Sequence, residues 1–148
     1  MATQKIVIGA RTSLNCTGGN ALATLTNASF STSDAVNNTT NQPIDLIVEL
    51  AATPGTVAGN KQALLYAIGS LDGTNYGTGV ATADVNDMTL IGVLPLATNS
   101  TLQRKLFEVA ACFGGVLPPY LKFVAQNDSG VTWTTGTLYT SEVSGTVA

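Results

Sequence analysis

Along residues 43–50, "PIDLIVEL", apolar and polar side chains alternate almost one by one. Ile44, Leu46, Val48 and Leu50 fall on one side of an extended chain, Asp45 and Glu49 on the other. A period of two residues marks a strand with one buried and one wet face. "YLKFVAQN" at 120–127 repeats the pattern, setting Leu121, Phe123 and Ala125 opposite Lys122 and Gln126. The run at 64–71 carries apolar groups on both faces and predicts a strand covered on both sides. Residues 5–8, 22–26, 62–71, 89–94, 104–109 and 137–143 supply the other strand candidates.

Turn signals separate these runs: "TPGT" at 53–56, "DGTN" at 72–75 and "NDSG" at 127–130. No stripe with a 3.6-residue period is long enough for a structural helix. The Ala-rich end of "FEVAACF" predicts one helical turn, stopped by Gly114-Gly115. About eight short strands at this spacing predict an all-β fold, an antiparallel sandwich or barrel. We expect a jelly-roll-like β-sandwich over residues 21–148. Residues 1–20, lower in complexity, read as a possible N-terminal arm.

Composition sharpens this picture. Hydrophobic residues make up 45% of the 148, enough for one core, while charged residues are only 10%. Polarity comes instead from Thr, Ser and Asn, as in "SFSTSDAVNNTTNQP". A formal charge of −3 opposes contact between copies only weakly. Six Lys and Arg, scattered, form no stripe that would track phosphates, so nucleic acid is not an expected partner. No apolar run approaches the roughly 18 residues of a membrane span, so no membrane partner is expected either. The start, "MATQKIVIGARTSLN", lacks the pattern of a signal peptide. Synthesis in a cytoplasm and a soluble product are the expectation. Cys16 and Cys112 are expected as free thiols there.

Candidate chemistry is sparse. Without histidine no Ser-His or Cys-His dyad exists within this chain, and no GxSxG elbow or phosphate-cradling glycine loop occurs. "TADVNDM" gathers Asp84, Asn86 and Asp87 but lacks the glycine and distant glutamate of a calcium loop. Asp45 and Glu49, four residues apart on one strand, stand roughly 13 Å from each other, beyond a glycosidase pair. We expect no enzymatic activity, no metal and no cofactor. Leu117-Pro118-Pro119-Tyr120 withholds two N–H donors and predicts an extended step into the strand that begins at Tyr120.

The segment "YAIGSLDGTNYGTG" at 66–79 admits two readings. In one, Asp72-Gly73 takes the positive φ of a tight hairpin or bulged turn and Tyr76 starts the return strand or packs over the turn. In the other, Asp72, Asn75 and Tyr76 line a ligand-binding loop. Trp133 and Tyr139 are candidate sugar-stacking rings.

"SLDGTNY" at 70–76 resembles a strand-turn-strand element of β-sandwich domains in tailed-phage virion proteins and in discoidin-like sugar-binding domains. "LQRKLFEVAACFGGVLPPYLKFVAQNDSGVTW" at 102–133 resembles a pattern of small phage structural proteins, and the likeness spans roughly residues 62–140. It implies a head decoration (cement) protein, made in the host cytoplasm and placed on the capsid surface of the virion. Its implied partners are the major capsid protein and its own copies, as a homotrimer. The alternatives are a minor tail or fibre protein, or a carbohydrate-binding module that uses Asn75, Tyr76 and Trp133.

Overall fold

Four long strands organise the molecule, two in each of two antiparallel sheets. The computed structural model describes residues 3–18, 21–77 and 85–147. Within them the strands are β1 (Gln4–Ile8), β2 (Thr12–Ser13), β3 (Cys16–Gly18), β4 (Phe30–Ser33), β5 (Val36–Asn37) and β6 (Asp45–Pro54). They continue with β7 (Gln62–Ser70), β8 (Thr89–Pro95), β9 (Gln103–Glu108), β10 (Tyr120–Asp128) and β11 (Trp133–Val147). The first sheet runs β1-β11-β6-β9, with β2 also on β11; the second runs β3-β4-β10-β7-β8, with β5 also on β10.

This order is that of a jelly roll. With β1/β2 and β4/β5 each filling one place, the chain changes sheet at every connection except β3 to β4 and β7 to β8. The expected antiparallel β-sandwich is therefore the fold.

The alternating segments form the core as their spacing requires. Leu46, Val48 and Leu50 of β6 are fully buried, and so are Leu121 and Phe123 of β10. Burial of each such side chain stabilises the fold by roughly 1.5–3 kcal/mol. Ala63, Leu65 and Ala67 of β7 face them from the second sheet, while Leu138 of β11 joins from the first. The Ala-rich turn expected after residue 107 is a 3-10 turn, Ala110–Phe113, ended by Gly114 in the left-handed conformation. Asp45 Oδ1 accepts the Ala110 N–H at 2.7 Å and so ties this turn to the start of β6.

Three expectations need correction. Residues 22–26 are not a strand but a turn, in which Leu25 N–H donates to Leu22 O. Leu22 and Leu25 are both buried, and their three-residue spacing is that of a turn. A strand appears instead at β4, whose Ser31, Thr32 and Ser33 are buried through hydroxyls; Ser33 Oγ accepts the Phe123 N–H at 2.9 Å. Leu71 lies outside β7 and is 86% exposed, so that strand ends at Ser70. Nor does Asp72-Gly73 make a tight hairpin, because the strand returning along β7 starts only at Thr89, opposite Ala67.

The segment read as an arm runs along the sandwich. β1 pairs with the last residues of β11, β2 pairs with Tyr139 and Thr140, and β3 lies beside β4. Arg11 stacks on the Tyr139 ring, 3.5 Å from its centroid, and reaches Glu49 Oε1 at 2.6 Å.

Candidate functional site

The register of β7 against β10 defines two ends. Ser70 faces Tyr120 at one end and Gln62 faces Asp128 at the other, roughly 26 Å along the strand. At the first end β6 and β10 begin, and the loops at 38–44, 71–77 and 114–119 meet. Asn38 N–H donates to Pro119 O and Asn38 Nδ2 to Pro118 O, both at 2.8 Å. These bonds hold the Pro-Pro step as the extended entry that its missing donors require.

Asp72 and Asn75 come together in this end as a closed turn. Asp72 Oδ1 accepts the N–H groups of Thr74 and Asn75 at 2.8 Å, and Oδ2 accepts Asn75 Nδ2 at 2.6 Å. Ser70 Oγ donates to Oδ1 at 3.0 Å. The backbone N–H of Asn75, then that of Thr74, then the Asn75 and Ser70 side chains hold the Asp72 carboxyl well below the usual carboxylate range. Gly73 takes φ +75, the positive value expected for it, though within this Asx turn rather than a hairpin. Asp72's acceptor sites are thus used by its own loop.

Tyr76 is half-buried beside that turn. Lys122 Nζ stands 4.6 Å from its ring centroid, covering one face with a cation. Burial first, then the Asp72 charge and Tyr120, push the Tyr76 hydroxyl up from its ordinary value. Its oxygen is buried without a hydrogen-bond partner among the described residues.

Trp133 stands at the other end. It is 1% exposed, its backbone N–H donates to Leu25 O at 3.1 Å and its Nε1 to Ser129 Oγ at 3.3 Å. The structure therefore does not bring Trp133 together with Asn75 and Tyr76, and its ring has no face open for stacking. Ser129 Oγ donates in turn to Asn127 Oδ1 at 2.6 Å. Asn127, fully buried, donates through Nδ2 to Leu25 O and Val131 O at 2.7 and 2.8 Å. The "NDSG" turn signal is the surface trace of this buried polar knot.

Asp45 and Glu49, tested above as a carboxylate pair, have separate structural partners in Ala110 N–H and Arg11. Asn86 and Asp87 lie on a 3-10 turn, Val85–Asp87, and Asp84 falls outside the described residues. No group of three His, Cys, Asp or Glu able to hold a metal occurs among the described residues. Cys16 and Cys112 are unbridged; burial first, then the nearby Asp34 charge, pushes the Cys16 thiol up to about 11, against a lowering hydrogen bond from Ser31.

No protein-family model and no curated protein matches this chain.

What sequence reading missed is where the exposed apolar side chains gather. Ile6, Ile8 and Val147 lie on the β1/β11 ribbon, and Ile44, Leu71 and Val116 lie on the adjoining loops, all at the end where β6 begins. Pro43, Ile44, Val116, Leu117 and Pro119 line an open cleft of about 450 Å³ there. At the opposite end, Leu102 is the one large apolar side chain left exposed among the described residues. The signal lay in "GGVLPP" and "QPI", apolar residues set among turn formers, which sequence pattern alone reads as ordinary loops.

Proposed function

We propose that this protein is a structural component of a phage virion, a head decoration protein that binds the shell of the major capsid protein and also associates with its own copies. The observation that carries this reading is the gathering of Leu71, Val116 and Ile44 at one end of a charge-poor jelly roll. Apolar tips on a hydroxyl-rich surface bury area against another protein with little desolvation of charge. A contiguous apolar patch on a soluble domain marks a contact surface. The fold is compatible with many functions, and the end surface, not the jelly roll, is what favours attachment. The resemblance of residues 62–140 to a pattern of small phage structural proteins favours the virion among possible assemblies.

The test is to mix the purified protein with capsids that lack it and sediment the particles. Stoichiometric binding is the expected result. Replacing Leu71 and Val116 together by Ser weakens binding at least about tenfold, which corresponds to roughly 1.4 kcal/mol, and leaves thermal unfolding unchanged. Wild-type protein that stays in the supernatant at saturating concentration overturns the reading.

A further inference from the structure

We propose that the outward edge of β1 pairs antiparallel with β1 of a second copy, joining the first sheets of both into one continuous sheet. This deepens the self-association in the proposed function, and it can fail while attachment to capsids succeeds.

One hydrogen bond shows which edge is free. Gly9 N–H donates to Glu142 O at 2.7 Å, directly after the pair Ile8–Val143. Main-chain groups in an antiparallel ladder turn alternately to one side and the other. Val7 and Lys5 therefore bond β11, whereas Ile8, Ile6 and Gln4 turn their N–H and C=O groups away from it. Val143 agrees, for its carbonyl accepts Ile44 N–H on the side away from β1. Among the described residues no strand pairs with that outward edge.

The ribbon is also bare on one face. β6 begins at Asp45, opposite Val143, so residues 144–147 of β11 have only β1 beside them. Ile6 and Ile8 share a face with Val143, Gly145 and Val147; Ile6, Ile8 and Val147 are 74%, 61% and 72% exposed. A Cβ built on Gly145 meets nothing within 4 Å. Two strands alone are marginal in water, and these apolar groups have no layer above them.

A second copy fits this edge in register and charge. Centred on Ile6, the pairing sets Gln4 against Ile8 and Ile6 against Ile6, three pairs that each exchange two main-chain hydrogen bonds. Lys5, the one charge in residues 4–8 and 143–147, then faces Val7 of the partner copy rather than another lysine. Ile6, Ile8 and Val147 of both copies form one apolar face across four strands. Edge pairing leaves this face open and gains the ladder bonds together with the side-chain contacts of Ile6 with Ile6 and of Gln4 with Ile8 across the seam.

Sedimentation velocity of the full chain from about 1 to about 200 micromolar tests this. Wild type is expected to pass from monomer to dimer. Ile6→Pro deletes an outward N–H and leaves the β1–β11 bonds intact, a place where an edge strand tolerates proline. It is expected to raise the dimer dissociation constant at least about tenfold, while the unfolding midpoint of dilute protein stays put. Val7→Pro, which removes a bond to β11, is expected to detach β1 and abolish dimers as well. Wild type that remains monomeric throughout overturns the pairing, as does a closed trimer, because a two-fold contact closes at two. An Ile6→Pro protein that dimerises like wild type overturns it too. Capsid sedimentation of the same variant separates the two claims: retained attachment with lost dimers leaves both standing, and lost dimers are not expected of Leu71→Ser.

Discussion

The two ends of this sandwich are built from the same kinds of residue and treat them in opposite ways. At the Trp133 end an aromatic ring, an asparagine and a serine are buried together, and each polar atom of Asn127 has a partner. At the ribbon end isoleucine, leucine and valine stand in solvent, while Asn38 Oδ1 and the Tyr76 hydroxyl are buried without partners among the described residues. A protein whose stability alone mattered would bury the former set no better and expose the latter set far less. The difference teaches that the first end holds the sheets together and that the second end is available for contact.

Substitution at the Trp133 end separates these roles most strongly. Trp133→Ala removes a fully buried ring and is expected to cost about 3–5 kcal/mol, measured by denaturant unfolding. A loss below about 1 kcal/mol would show that the ring is not the keystone of its end. Asn127→Ala strands the Ser129 N–H and leaves Leu25 O with the Trp133 N–H and Val131 O with Ser129 Oγ, so about 1–3 kcal/mol is expected from the lost bonds. Gly130→Ala follows at about 1–3 kcal/mol, because φ is +79 there and a Cβ would approach Ala58 O to 2.5 Å. At the ribbon end, Val116→Ser and Leu71→Ser are expected to shift stability by less than about 0.5 kcal/mol. A larger effect would mean that these side chains pack in the free protein, and the contrast between the ends would vanish.

The smallest effect concerns acid. Folding lowers the Asp72 carboxyl from an ordinary value of 3.8, so its contribution is present above that pH and is lost as pH falls through the folded value. The turn at 70–75 is expected to stay closed under mild acid and open only below the usual carboxylate range. A carboxyl carbon titration by NMR checks this, and a midpoint at or above 3.8 contradicts it.

Much of this fold was legible where burial and sequence period coincide. Leu46, Val48 and Leu50 of β6 and Leu121, Phe123 and Ala125 of β10 could be read as core, since each strand sits between neighbours with one face inward. Ile44, placed on the same face, instead precedes β6 and is exposed, and β6 runs on to Pro54, into the expected turn. β4 was not legible, because a strand buried through Ser31, Thr32 and Ser33 shows no apolar alternation. Residues 22–26 misled for the converse reason, as Leu22 and Leu25 fill the core from a turn. Asp72 and Asn75 lie in one closed turn with Tyr76 beside it, but that the carboxylate satisfies its own loop depends on backbone N–H directions that sequence does not display. Trp133 belonged to the opposite end, a fact set by the register of β10 on β7 and by nothing local. The bare ribbon was hidden in the same way: "QKIVI" reads as a strand, and only the length of β11 beyond β6 leaves its apolar face uncovered.

The most direct test of the claim that one end serves contact and the other serves folding is amide hydrogen exchange, compared between dilute protein and protein bound to capsids. Protection gained at residues 4–8, 38–44, 71–77, 114–119 and 143–147, with residues 127–135 already protected in both states, is the predicted result. Protection gained at 127–135, with the ribbon and its loops unchanged, would contradict the account.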